Sequence, residues 1–169
     1  MRLTYLAAIV ALAALTSTAR AEHARIELKV IHVSPQSGAD EELATSSMDT
    51  DPPEGGRNPR PVAKVKAGEP LVLQFFFTNT YPHGVKKNVG VRYYVVREDK
   101  LGQKSVPPLK KTVVDGQFKM TFKPGCRVGT RVAFHIDEPG AYLLRVESVN
   151  TDSDHEHFSA IDIQVEKAP

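Results

Sequence analysis

The chain cannot close an internal disulfide, because Cys126 is its single cysteine among 169 residues. Its stability must therefore come from burial alone, which a domain of this length can supply. It has no tryptophan. No segment of useful length repeats at the helical period, which excludes a bundle or coiled coil. After Leu15 no apolar run approaches about 18 residues, so nothing downstream reads as a membrane-spanning helix. There is no glycine-rich phosphate loop after a strand, no serine in a nucleophile elbow and no zinc-protease helix. A non-enzymatic protein is expected.

Strong charge of either sign is also missing. The chain holds 22 Lys+Arg and 20 Asp+Glu. Two of the arginines, Arg2 and Arg20, belong to a leader: a positive start, the apolar run Leu6 to Leu15, and Ala19-Arg20-Ala21 with small residues where a signal peptidase reads. Cleavage near Ala21 divides the chain into a signal peptide (1–21) and one mature domain (22–169) with 20 bases and 20 acids. A secreted or periplasmic protein follows. Near-neutral charge removes the composition-level case for nucleic acid or an anionic membrane as partner.

What is present is alternation. Ile26, Leu28 and Val30 alternate with Arg25, Glu27 and Lys29. Leu71, Leu73, Phe75 and Phe77, then Val89, Val91, Tyr93 and Val95, mark two strands at the centre of the core. Lys111 to Val114 reads as a short edge strand, and Phe118, Met120, Phe122 and then Val132, Phe134, Ile136 continue the rhythm. Tyr142, Leu144 and Val146 face the same way in a closing hairpin, returned by Ile161, Ile163 and Val165. Residues 34–61 are rich in Pro, Gly, Ser, Asp and Glu and are expected as one long loop, with a turn of helix near Glu41 to Ser46. Strands about ten residues apart with turn residues between them predict an all-β fold, an antiparallel β-sandwich of about 7–9 strands.

The stretch Asp137-Glu138-Pro139-Gly140-Ala141-Tyr142-Leu143-Leu144 resembles the turn-plus-tyrosine corner of immunoglobulin and fibronectin type III domains. In those domains a tyrosine near the start of the penultimate strand bonds back to the preceding corner, and a cysteine often follows two residues on. Leu144 stands there in this chain, so the resemblance implies a disulfide-free, immunoglobulin-like exported domain and carries no active site with it. A second resemblance, to the periplasmic copper-binding CopC-like proteins, lies in His23-Ala24, the alternating strand after it and Ser34-Pro35. Those proteins are β-sandwiches that use an amino-terminal histidine as a ligand. Here Glu22 precedes His23 after the predicted cut, and there is no methionine-rich segment.

Two functional classes remain. An immunoglobulin-like module would bind a protein or glycan partner in the cell envelope through loops or an edge strand. Arg92, Tyr94 and Val96, on a nominally wet face, suit a contact patch or, equally, a second buried face under a loop. Alternatively, the hairpin tip Asp152-Ser153-Asp154-His155-Glu156-His157 points to copper or zinc. In an extended segment His155 and His157 project to one side, with Asp154 beside them. Further ligands would come from His135, His83 or His32. The solvated-tip reading competes with it. Cys126, in Lys123-Pro124-Gly125-Cys126-Arg127, reads first as a partly buried loop residue and second as a thiol with a metal or redox role.

Overall fold

The computed structural model describes residues 24–47, 60–80, 84–103, 105–149 and 156–168. Among these residues the chain forms nine strands: β1 (Ala24–Val33), β2 (Asp40–Ser47), β3 (Val62–Lys66), β4 (Leu71–Asn79), β5 (Lys86–Glu98), β6 (Thr112–Phe122), β7 (Arg127–Phe134), β8 (Gly140–Val149) and β9 (Glu156–Glu166). They form a four-stranded sheet in the order β2-β1-β4-β7 and a five-stranded sheet in the order β3-β9-β8-β5-β6. All pairs are antiparallel except β3 with β9. The expected all-β sandwich is the observed fold, and no helix among the described residues is long and apolar enough to cross a membrane. The predicted leader lies outside the described residues.

Alternation dictates which face each strand buries. Ile26, Leu28 and Val30 from β1, Leu73, Phe75 and Phe77 from β4, Leu144 and Val146 from β8, and Ile161 and Ile163 from β9 are all at most 2% exposed and share one core. Of the residues expected at its centre, Tyr93 alone is partly exposed, because it stands beside the edge strand β6.

Three elements differ from the sequence expectation. Residues 40–47, expected as loop with a helical turn, form strand β2. Ala44 and Ser46 are buried there while the acidic start is paired across the sheet, with Glu42 bonded to Lys29 at 2.6 Å and Asp40 to Arg131 at 2.8 Å. The two short segments around Val114 and Phe118 are one continuous strand, β6, running through Gly116. Gly116 does not break it: a side chain there would meet the ring of Tyr93 at 2.2 Å, so glycine admits the aromatic ring from β5. Finally, β7 begins at Arg127, ahead of the apolar residues that announce it.

The tyrosine corner is present. Tyr142 is 3% exposed and its hydroxyl donates to the carbonyl of Glu138 at 2.8 Å, tying β8 to the turn that leads into it. Tyr142→Phe keeps the ring and strands the carbonyl, so a loss of about 1 kcal/mol is expected in urea unfolding. A change below about 0.3 kcal/mol would mean that water replaces the bond at no cost.

Candidate functional site

Three places in the sandwich bring polar chemistry together. The first is the end where β4 finishes. Asn79, 1% exposed, is its hub: its backbone N–H donates to Cys126 O at 3.0 Å, its carbonyl accepts from Gly125 at 2.9 Å, and its side-chain amide donates to Phe122 O at 3.3 Å. Ala24 is its register partner in β1. The glycine turn, with Gly125 at φ +70°, holds Cys126 partly buried against the core, as the plainer reading of that residue expected. The β8/β9 hairpin opens at the same end, with His157 opposite Ser148 and Val149 opposite Glu156.

His32 and His135 lie toward the other end. Both border Leu71, His32 as its register partner and His135 just past Phe134, which is Leu71's other partner. The hydroxyls of Ser159 and Ser46 meet at 2.8 Å, and Ser46 is opposite Leu28, which sets His157 two residues from that level in one direction and His32 four in the other. At about 3.3 Å per residue this is about 20 Å along the strands. His157 therefore does not share a closed site with His32 or His135. His32 instead stands 3.8 Å from Glu41, and His135 stands 3.5 Å from Asp137. His83, Asp154 and His155 lie outside the described residues, and no group of three metal-ligating side chains occurs among those described.

The second place is the outer face of the five-stranded sheet. Tyr94 and Val96 are 1% and 0% exposed and pack with Leu143, Ala160 and Leu109 into a small second core, so these two form a buried face under Leu109 while Arg92 of the same strip stays partly exposed. Burial pushes the Tyr94 phenol well above its ordinary pKa, with the Glu147 charge adding to the shift. Its hydroxyl donates to Glu147 at 3.3 Å, Glu147 also accepts from Arg145 Nε at 2.8 Å, and the Arg145 guanidinium lies 4.1 Å from the centre of the Phe158 ring. Arg92 clamps Asp115 through two bonds, 2.9 and 3.2 Å. Beside this network a cleft of about 530 Å³ runs over Gly90 and Val91, with Arg92, Gln117, Phe118, Lys119 and Glu147 around it. Gly90 supplies no side chain, so the sheet backbone is its floor.

The third place, which alternation does not reveal, is a buried charge cluster. Arg60 Nε is 3.0 Å from Asp162 Oδ1 and Arg60 Nη2 is 3.5 Å from Glu98 Oε1, with side-chain exposures of 7%, 2% and 0% for Arg60, Asp162 and Glu98. Arg60 Nη2 also donates to Gln103 O at 2.9 Å, and the Asp162 amide donates to Pro61 O at the same distance. The cluster pins the residues before β3, the end of β5 and the following turn to β9. One guanidinium cannot neutralise two buried carboxylates. Burial raises both pKa values against the pull of Arg60, Glu98 to about 7 with the Asp162 charge adding to its shift.

The sign of the resulting pH dependence follows. Between the ordinary glutamate value of 4.5 and about 7 the folded protein holds a proton on Glu98 that the unfolded chain has released. Stability contributed by this group is full below that window and falls as pH rises through it, by at most about 1.4 kcal/mol per unit. Urea midpoints measured across this range for wild type and Glu98→Gln should converge at low pH and separate as pH rises; parallel profiles would show that Glu98 titrates normally.

No protein-family model matches the sequence, and no curated protein matches it. Solved β-rich structures do. The soluble domain of PmoD from Methylocystis sp. ATCC 49242 (Rockwell) is 12% identical with a TM-score of 0.47, over 83% of this chain and 90% of that one. A family 123 glycoside hydrolase from Clostridium perfringens is 10% identical at TM-score 0.42, over 68% of this chain and 24% of the hydrolase. An AA10 lytic polysaccharide monooxygenase from Streptomyces lividans is 12% identical at 0.42, over 68% of this chain and 64% of that one. These are likenesses of outline and bring no site residue to this chain.

Proposed function

We propose that the protein is an exported, non-enzymatic immunoglobulin-like module that binds a polar envelope ligand, protein or glycan, in the cleft over Gly90. The immunoglobulin-like reading rests on strand order together with Tyr142. Strands β9, β8 and β5 are neighbours in one sheet as G, F and C are, β1, β4 and β7 are neighbours in the other as A, B and E are, and β6 adds to β5 as C′ adds to C. The binding reading rests on the cleft. Its rim offers a guanidinium, an amide, an ammonium and a carboxylate around bare backbone, and Arg92 and Glu147 are held in place by Asp115, Tyr94 and Arg145. Gly90→Tyr would fill the floor. Immobilised wild type and variant, exposed in parallel to a glycan array and to solubilised envelope proteins, test the proposal. A ligand kept by wild type and lost by Gly90→Tyr supports it; equal retention, or none, sinks it.

One observation favours a second reading, a copper- or zinc-binding protein using His155, His157 and Asp154. The start of β1 at Ala24, the end of β4 at Asn79, the Cys126 turn and the His157 end of β9 belong to the same end of the sandwich. Calorimetric titration of the metal-free protein with Cu²⁺ and Zn²⁺ tests it. Affinity weaker than about millimolar, or affinity unchanged in His155→Ala/His157→Ala, removes it.

A further inference from the structure

We propose that two copies of the chain join edge to edge through β6, extending the five-stranded sheet across a two-fold axis at Gln117. Four strands are sheet edges among the described residues: β2, β7, β3 and β6. An edge leaves a row of backbone donors and acceptors open to another strand, and charged residues normally decide whether that pairing is allowed. Three of the four edges carry charge of one sign and so offer no acid-to-base pair to their own copies. β2 carries Asp40, Glu41 and Glu42 with no base, β3 carries Lys64 and Lys66 with no acid, and β7 carries Arg127 and Arg131 with no acid.

Strand β6 differs. It holds one acid, Asp115, and one base, Lys119, both exposed and both on the outer face. Antiparallel pairing about Gln117 sets Asp115 opposite Lys119 of the second copy and Lys119 opposite its Asp115, so one contact is made twice. The same register lays Thr112–Phe122 on itself without overhang, with Val114 opposite Met120 and Gly116 opposite Phe118 of the second copy. Moving the axis by one residue in either direction loses both charge pairs. Asp115 keeps its two bonds to Arg92 and accepts the ammonium on its free side.

The apolar face of this edge also lacks cover. Val114, Phe118 and Met120 on β6 and Val132 on β7 are only partly buried, whereas on the opposite flank Ala44, Ser46, Ala63 and Val65 are buried. A second copy sets its own Phe118 and Met120 beside that open flank and removes apolar surface from water. The cleft over Gly90 shares Gln117 and Lys119 with this edge, so the two clefts of the pair would lie side by side across the axis.

Analytical ultracentrifugation of the purified protein from micromolar to millimolar concentration tests the arrangement. Wild type is expected to dimerise. Asp115→Lys and Lys119→Asp each oppose like charges twice, weakening self-association at least about tenfold, and an equimolar mixture of the two should form a heterodimer. Asp115→Lys also removes the partner of Arg92, so Gln117→Lys and Gln117→Glu supply a second pair that leaves that clamp intact. Each places like charge on the axis and should be monomeric, and their mixture should associate. A monomeric wild type, single variants that dimerise as wild type does, or mixtures that stay monomeric would overturn the proposal.

Discussion

Arg60→Ala is expected to destabilise the protein by about 3–5 kcal/mol, because it leaves Glu98 and Asp162 buried together without a cation. Neither carboxylate can turn to water: their side chains are 0% and 2% exposed. The variant should recover part of the loss on acidification, since protonating both acids removes the repulsion. Replacing the whole cluster, as in Arg60→Met/Glu98→Met/Asp162→Leu, should be far milder than the single change, because paired charges in an interior roughly break even against apolar groups of similar volume. Urea unfolding of the three proteins at pH 5 and pH 8 measures all of this. A cost for Arg60→Ala below about 1 kcal/mol would mean that water reaches the carboxylates.

Phe75→Ala should cost a comparable amount, about 3–5 kcal/mol. Phe75 is 1% exposed at the middle of β4, with its ring stacked on Phe118 at 6.3 Å and tilted against Tyr93 at 5.8 Å. Removing it opens a void between the sheets where three strands contribute aromatic rings, and the β4 and β5 backbones, each held by ladders on both sides, cannot collapse into it. Its neighbour Phe76 is the control. That ring faces outward beneath Arg127, 4.0 Å from the guanidinium, and lies over Gly129. Phe76→Ala should cost about 1 kcal/mol, mostly the cation contact. Equal losses for the two phenylalanines would show that the outer face packs as tightly as the inner one.

The contrast between Phe75 and Phe76 shows what was legible in the chain and why. Period-two alternation assigned inner and outer faces wherever polar and apolar residues traded places strictly, as in Ile26 to Val30, Leu71 to Phe77 and the β8/β9 hairpin. Tyr142 was legible because a corner tyrosine bonds within four residues of itself. Strand β2 was not, because its acidic residues read as loop chemistry until Lys29 and Arg131 face them from other strands. The place of Gly116 inside β6 depends on a contact no neighbouring residue carries: the Tyr93 ring across the ladder takes the space a side chain would need. Tyr94 and Val96 left two readings open, and Leu109 from a distant connection selected the buried one.

The candidate sites divide along the same line. The sequence by itself determined the all-β fold, the faces of most strands and the clustering of Asp154, His155 and His157 in one short stretch, because each is written in residues next to or near one another. Tertiary structure alone decided that His32 and His135 lie about 20 Å along the strands from His157, that Arg60 sits between the buried Glu98 and Asp162, and that β6 is a sheet edge. Each of these depends on which strands are neighbours and in what register. Strand order is set by how the apolar faces close over one core, and no local pattern along the chain carries that choice.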